Sequence, residues 1–364
     1  MNSATTETTK GGRLTDQLPA ETLLKWLYDM QMIREFESRT MQAYQQAQIG
    51  GFCHVYSGQE ACAVGAINSV EHMDPVVTAY RDHGHALARG MAPEACMAEM
   101  FGKVTGCAKG KGGSMHMFDR ANNLYGGHGI VSAQTPLGAG LAFGARYEWE
   151  VLKTEPKKVC LTFLGDGAID QGAFHEALNL SAIYSLPVIF IIENNGYSMG
   201  TAIKRHTANA GHLTRRGEAY GIKSLEIDGF DIRNVYDALK PLADECREGQ
   251  KPAFVNLKTY RYQGHSMSDP QKYRSKDEVA EWKARDSIAN LLDHLLHERE
   301  CITEVEWAKM CDEIKAIVRD AVKAADAAPV PDVATELDSD VYALPMENLS
   351  PTDEYRHGLR NPLL

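Results

Sequence analysis

The sequence predicts an α/β protein with a largely parallel sheet flanked by helices. Two apolar runs of strand length, Val159–Leu164 and Val188–Ile192, each end in a polar turn, and a helix-like stretch from Gln171 to Tyr184 lies between them. Continuous apolar runs suit strands buried on both faces, and parallel neighbours need a crossover, usually a helix. These three features make a βαβ unit.

The other elements follow in order. Residues 1–18 begin Thr-rich, show no apolar period and are expected to be disordered. Pro19 opens a long helical pattern in which Leu23, Leu24, Leu27, Met30, Ile33, Phe36 and Met41 recur at three- and four-residue intervals. From about residue 50 to 260, strand-like and helix-like segments alternate without a repeat. Pro252–Tyr260 reads as a late strand. Arg261–Arg274 is polar, contains Gly, Ser and Pro, and reads as a mobile loop. Ser275 to Glu278 has capping-box spacing, and Thr303 to Glu306 repeats it. Trp307, Met310, Ile314, Ile317, Val318, Ala321 and Val322 form an amphipathic stripe suited to packing, within the chain or against a partner. No linker interrupts Pro19 to Ala328, so residues 19–328 are expected to form one α/β domain with an N-terminal helix and a C-terminal helical extension. Residues 329–364 carry Pro and acidic groups and are expected to form an extended arm.

Composition narrows the function. The net charge of −11 argues against a nucleic-acid partner. No apolar run reaches the roughly 18 residues of a membrane span. Met1–Arg13 lacks an apolar core, contains Glu7 and is not Arg-rich, so neither a secretory signal nor a mitochondrial presequence is expected. The eight cysteines form no C-x-x-C pair and read as buried reduced thiols, which suggests the cytoplasm.

The chemistry concentrates at two strand ends. Asp166 sits in Gly165-Asp166-Gly167, and Asn195 closes Glu193-Asn194-Asn195. A right-handed crossover opens both ends on one edge of the sheet, where ligands of open α/β sheets bind. A carboxylate and an amide carbonyl are hard oxygen donors. Magnesium takes few protein ligands and completes its shell with phosphate oxygens and water. Gly165 and Gly167 let the backbone approach a phosphate. The helix start after Ile169 offers free N–H groups, with Asp170 as its expected N-cap. The pair therefore points to a divalent cation holding a diphosphate. Gly-Asp-Gly alone is usually only a turn; two such ends flanking a helix are not. No G-x-G-x-x-G follows a strand, and Lys109–Ser114 lacks phosphate-loop spacing.

The Gly165–Asn195 segment resembles the thiamine diphosphate signature. Gly51-Phe-Cys-His54, Thr78-Ala-Tyr-Arg-Asp-His-Gly84, Lys109-Gly-Lys-Gly-Gly-Ser-Met-His-Met117, Gly126-Gly-His-Gly-Ile-Val131 and Tyr260-Arg-Tyr-Gln-Gly-His-Ser-Met-Ser-Asp-Pro270 resemble blocks of the 2-oxo acid dehydrogenase alpha subunits. The likeness runs from about residue 20 to 340. It implies the thiamine diphosphate-binding fold, with thiamine diphosphate and magnesium as cofactors. By this resemblance Asp166, Asn195 and the Tyr197 carbonyl hold the metal, and Gly167 and Ala168 present amides to the diphosphate. Tyr80 and Arg81 contact the same group. Gly129 and Val131 hold the aminopyrimidine. His54 and His265 are the catalytic candidates, His265 also near the diphosphate, and Arg261 positions the loop. His83, His116 and His128 are further candidates for the cleft.

The resemblance also implies partners: a beta subunit that supplies the glutamate activating the cofactor, in an α2β2 heterotetramer, and the lipoyl domain of dihydrolipoyl acetyltransferase. Glu193 stands where branched-chain relatives place Arg, which favours pyruvate as substrate. Ser266 matches a serine whose phosphorylation silences mitochondrial relatives. Two further phosphosites are absent, at Ala202 and in the shortened Pro270–Arg274 segment, which favours a bacterial-type enzyme. The neighbouring readings are an acetoin dehydrogenase alpha subunit and a non-catalytic nucleotide-binding regulator.

Overall fold

The computed structural model describes residues 12–336. The described residues to Pro329 form one compact unit; the described residues after it belong to a second and hold one short helix, Val333–Glu336. Most of the expected C-terminal arm lies outside the described residues.

The strands are β1 Val76–Ala79, β2 Leu124–His128, β3 Cys160–Gly165, β4 Val188–Asn194, β5 Tyr197–Ser198, β6 Thr201–Ala202, β7 Lys223–Asp228 and β8 Ala253–Lys258. Six of them form a sheet in the order β2-β1-β3-β4-β8-β7, and every neighbouring pair is parallel. β5 and β6 form a small antiparallel hairpin.

The apolar runs have the expected cause. In β3, Leu161 and Phe163 join one core cluster while Cys160 and Leu164 join another. In β4, Ile189 and Ile191 join the first, and Val188, Phe190 and Ile192 the second. Both faces are covered, so no position needs a polar residue. Each such large side chain stabilises the fold by roughly 1.5–3 kcal/mol. Helix Gly172–Ile183 makes the crossover between β3 and β4, which pair from Cys160 opposite Val188 to Gly165 opposite Glu193.

The long helix Ala20–Gln45 buries Leu23, Leu27, Met30 and Ile33 against Tyr56, Ile232 and Ile288. Thr303 and Glu306 form a reciprocal capping box that starts helix Glu304–Ala327. The stripe of this helix packs within the chain: Ile314, Val318 and Ala321 enter the core beneath the sheet. Ser275 caps helix Lys276–Lys283 by accepting from the Glu278 N–H.

Two expectations need correction. Residues 14–17 form a 3₁₀ turn instead of a disordered segment. The Thr15 N–H donates to Asp237 at 2.9 Å and Arg13 Nη2 donates to Asn234 at 2.8 Å, partners too distant in sequence to foresee. Residues 1–11 lie outside the described residues. Asp170 does not cap helix Gly172–Ile183; it ends a 3₁₀ turn and pairs with Arg216 at 2.7 Å.

Strand order places the site. From β1 the chain crosses to β2 on one side, and from β3 it crosses to β4 on the other. The connections diverge between β1 and β3, and such a switch point leaves a crevice at the carboxyl ends of the strands.

Candidate active site

The crevice is a cavity of about 790 Å³, within the size range of small-molecule sites. β1 delivers Tyr80 and Arg81, β3 delivers Asp166, and β4 delivers Asn195. Gly167 and Ala168 follow Asp166, and Tyr197 follows Asn195. Gly129, Val131, His54 and His265 complete the walls. Every cofactor, metal and catalytic candidate singled out above lines this one space.

The oxygen donors are held ready. Asp166 is buried, and its Oδ2 has no hydrogen-bond partner. Burial pushes its carboxyl up to about 6, with the Arg261 charge pulling the other way. Asn195 Nδ2 donates to Gln59 Oε1 at 3.1 Å, which fixes the amide with Oδ1 turned toward Tyr197. Arg261 Nη1 donates to Asn195 Oδ1 at 3.4 Å and to the Tyr197 carbonyl at 2.9 Å. One cationic group thus already bridges two of the three expected metal donors. An unpartnered buried carboxylate oxygen sharing the crevice with an amide oxygen and a carbonyl fits a hard cation. Among the described residues no cluster of three His, Cys, Asp or Glu ligands occurs; two of these three donors are neutral groups outside that set.

Gly167 is required by contact. A Cβ there would meet Ser198 Oγ at 2.2 Å. At Gly129 a Cβ would lie 3.2 Å from His116. Val131, Phe52 and Met199 are exposed apolar side chains on the cavity wall, at 45%, 65% and 64%.

The two catalytic candidates share one environment. The His54 and His265 rings lie edge to face at 5.0 Å, and the Tyr80 ring lies 4.7 Å from His54. Burial, then the Arg81 charge, holds His54 down to about 2 and His265 down to about 4. Both imidazoles are therefore neutral near pH 7. Their segments are stitched together: the Met267 N–H donates to Cys53 O and the Tyr262 N–H to Ser57 O, each at 2.9 Å. Arg81 spans the seam, donating from Nη1 to Val55 O at 2.7 Å and from Nη2 to His265 O at 2.8 Å. Those donors of Arg81 serve the protein backbone, and the residue also lines the crevice.

The Arg261–Arg274 loop borders the cavity and carries its own bonds. Asp269 accepts from the His265 and Gln271 N–H groups at 2.6 and 2.8 Å, and Arg274 donates to the Arg261 carbonyl at 2.7 Å. Ser266 lines the cavity in this loop, its Oγ 3.0 Å from Ser268 Oγ.

Three expected histidines are elsewhere. His83 is buried against Glu37, His116 bonds the Gly127 carbonyl at 3.0 Å, and His128 lines a separate groove with Leu137. None lines the crevice. Sequence reading missed Gln59, which does; Glu193, read from the sequence only as bearing on substrate choice, lines it as well. Glu193 accepts from the Tyr56 hydroxyl and lies 3.2 Å from His85 Nε2. Its signal in the sequence was its place before Asn194-Asn195 at the end of an apolar strand. The Gly-rich stretch before Ser114 is explained by Glu99. This buried carboxylate accepts from the N–H groups of Ala108, Gly110, Gly112 and Gly113 at 2.7 to 3.0 Å. An internal anion occupies the nest that a phosphate would otherwise suit.

The fold and crevice define an α/β protein with a cofactor-sized site at the switch point of a parallel sheet. The chain belongs to the dehydrogenase E1 component family, whose model matches residues 28–334. It is 45% identical over 323 residues to the pyruvate dehydrogenase E1 component subunit alpha of Rickettsia felis, covering 88% of this chain and 96% of that protein. The protein of the same name from Rhizobium meliloti is 44% identical over 318 residues, covering 87% and 89%. The chloroplastic subunit alpha-3 of Arabidopsis thaliana is 39% identical over 329 residues, covering 90% and 76%. Family membership implies a thiamine diphosphate cofactor.

Proposed function

We propose that this chain is the alpha subunit of a pyruvate dehydrogenase. It would serve the oxidative decarboxylation of pyruvate and the reductive acetylation of a lipoyl group on dihydrolipoyl acetyltransferase. The observation that carries this reading is the buried, unpartnered Asp166 Oδ2 in the same crevice as Asn195 and Tyr197, in a chain whose relatives bear that name.

When bound, thiamine diphosphate supplies the electron sink for decarboxylation. The chain holds it. Asp166, Asn195 and the Tyr197 carbonyl would ligate magnesium, with the Gly167 and Ala168 amides, Tyr80 and Arg81 toward the diphosphate. Gly129 and Val131 would seat the pyrimidine end. His54 and His265 are neutral, so each offers an uncharged N–H to a substrate oxygen as charge develops there. Arg81 keeps the two rings together.

The apolar wall of Phe52, Val131 and Met199 supports a second chain covering the mouth. We infer a beta-type partner in an α2β2 assembly. The eight free thiols support a reducing compartment such as the cytoplasm. Among the described residues no helix is long and apolar enough to cross a membrane.

The test is co-expression with a beta-type partner, followed by rates with pyruvate, acetoin and 2-oxoisovalerate under added thiamine diphosphate and magnesium. Pyruvate should be preferred, and the chain alone should be nearly inactive. Preference for acetoin, or full activity of the single chain, would overturn the reading.

A further inference from the structure

A polar chain lies behind His54, on the side away from the cavity. Glu37, within helix Ala20–Gln45, and His83, which opens helix His83–Ala88, are both fully buried. His83 Nδ1 lies 2.9 and 3.0 Å from the two Glu37 carboxylate oxygens. His83 Nε2 lies 2.8 Å from Ser114 Oγ and 3.0 Å from the Ser114 carbonyl. The Glu37 carboxylate accepts from Nδ1–H, and the Ser114 carbonyl, which can only accept, favours a second proton on Nε2. The geometry makes His83 an imidazolium paired with Glu37. Burial alone would lower its pKa, yet the Glu37 carboxylate carries it above the ordinary value.

Ser114 Oγ also accepts the His54 backbone N–H at 3.1 Å. Two neighbouring groups are pinned as well. The Tyr56 N–H donates to Glu37 Oε1 at 2.6 Å, and the Val55 carbonyl accepts from Arg81 at 2.7 Å. Three successive residues around His54 therefore have their backbone tied to charged or charge-oriented partners.

The His54 ring itself lacks such an anchor. Histidines that act in catalysis are usually oriented by a hydrogen bond at the second ring nitrogen. Here His54 Nδ1 is enclosed and has no partner. Ring contacts with Phe52, Tyr80 and His265 surround it, and none of them is a hydrogen bond to Nδ1. The backbone must then set where the ring points. We propose that Ser114, held as an acceptor by the buried Glu37–His83 ion pair, is the positioning residue for His54. This rests on the reading of His54 as catalytic in pyruvate decarboxylation.

The experiment uses the chain assembled with its beta-type partner, thiamine diphosphate and magnesium. Ser114→Ala should lower kcat tenfold or more, with KM for pyruvate changed less than threefold. In a His54→Ala background the same substitution should cost less than twofold, because its effect runs through the missing ring. Ser114→Thr keeps the hydroxyl and should restore most of the rate. Hydrogen exchange of the peptide spanning residues 52–58 should quicken in Ser114→Ala, while peptides from β4 stay unchanged; this readout needs no turnover. Glu37→Gln, put through the same cycle, serves where Ser114→Ala does not assemble. Unchanged exchange around His54, or equal rate losses in the wild-type and His54→Ala backgrounds, would overturn the proposal. Wild-type turnover by His54→Ala alone would instead remove the catalytic reading of His54, and with it Ser114's part in the reaction; the exchange result would then show whether Ser114 still holds the segment.

Discussion

The His54 and His265 rings meet edge to face at 5.0 Å, although they come from opposite halves of the chain. Arg81 donates to the carbonyl of His265 and to that of Val55, the residue after His54. The contact joins the N-terminal part of the crevice to the late loop.

This contact predicts how the two roles of the site separate. His54→Ala removes a neutral donor and leaves the metal donors intact. It should lower kcat by about 10²-fold, the lower end for a positioned proton-transfer or hydrogen-bonding group. Calorimetry should find thiamine diphosphate affinity within threefold of wild type. An equal fall in affinity and rate would mean that the ring holds the cofactor and does no more.

Asp82 gives a pH dependence of stability. Its Oδ2 accepts from the Met117 N–H at 2.9 Å, and its Oδ1 is buried without a partner. Burial pushes its carboxyl from 3.8 to about 7, against the pull of His83. The folded protein therefore keeps a proton that the unfolded chain releases near pH 4. The stability from this proton is complete below pH 4 and is lost as pH rises through 7. Asp82→Asn cannot ionise. Relative to wild type, its resistance to urea should improve by roughly 2–3 kcal/mol between pH 5 and pH 8. A constant difference across that range would refute the assignment.

Gly167 allows a direct steric test. A methyl group there would sit 2.2 Å from Ser198 Oγ. Gly167→Ala should cost about 1–3 kcal/mol in thermal or urea unfolding, as overpacking does, and should weaken cofactor binding. Adding Ser198→Gly should recover much of both losses. Failure of that second change to help would show that the strain lies elsewhere.

Glu99 should matter to the fold without touching the crevice. Its carboxylate satisfies four backbone N–H groups of the glycine-rich loop. Glu99→Gln replaces one acceptor oxygen with an amide donor facing other donors. We expect a loss of about 2–4 kcal/mol in stability, read by urea unfolding. Wild-type stability would mean that the nest tolerates a neutral occupant.

Much of the crevice was legible before any coordinates. Asp166 and Asn195 end apolar strands, and strand length, parallel pairing and crossover handedness together place them on one edge. The capping boxes at Thr303 and the helical period from Leu23 are local signals of the same kind. Gln59 and the Glu37–His83–Ser114 chain left no such trace. Each is an ordinary polar residue in its own segment and acquires a role only through partners far along the chain. Asp170 shows the converse: it has the composition of a cap, but Arg216 engages its carboxylate.

Sequence alone determined the two central strands with the helix between them, the long first helix and the late capped helices, and which oxygen-bearing residues stand at the strand ends, because periodicity and chain geometry act over a few residues. Tertiary structure alone decided what surrounds those residues: the Gln59 amide that turns Asn195, the Arg81 bridge between two histidine segments, and the buried ion pair behind His54. Burial makes each polar group find a partner, and which partner it meets depends on how distant segments pack.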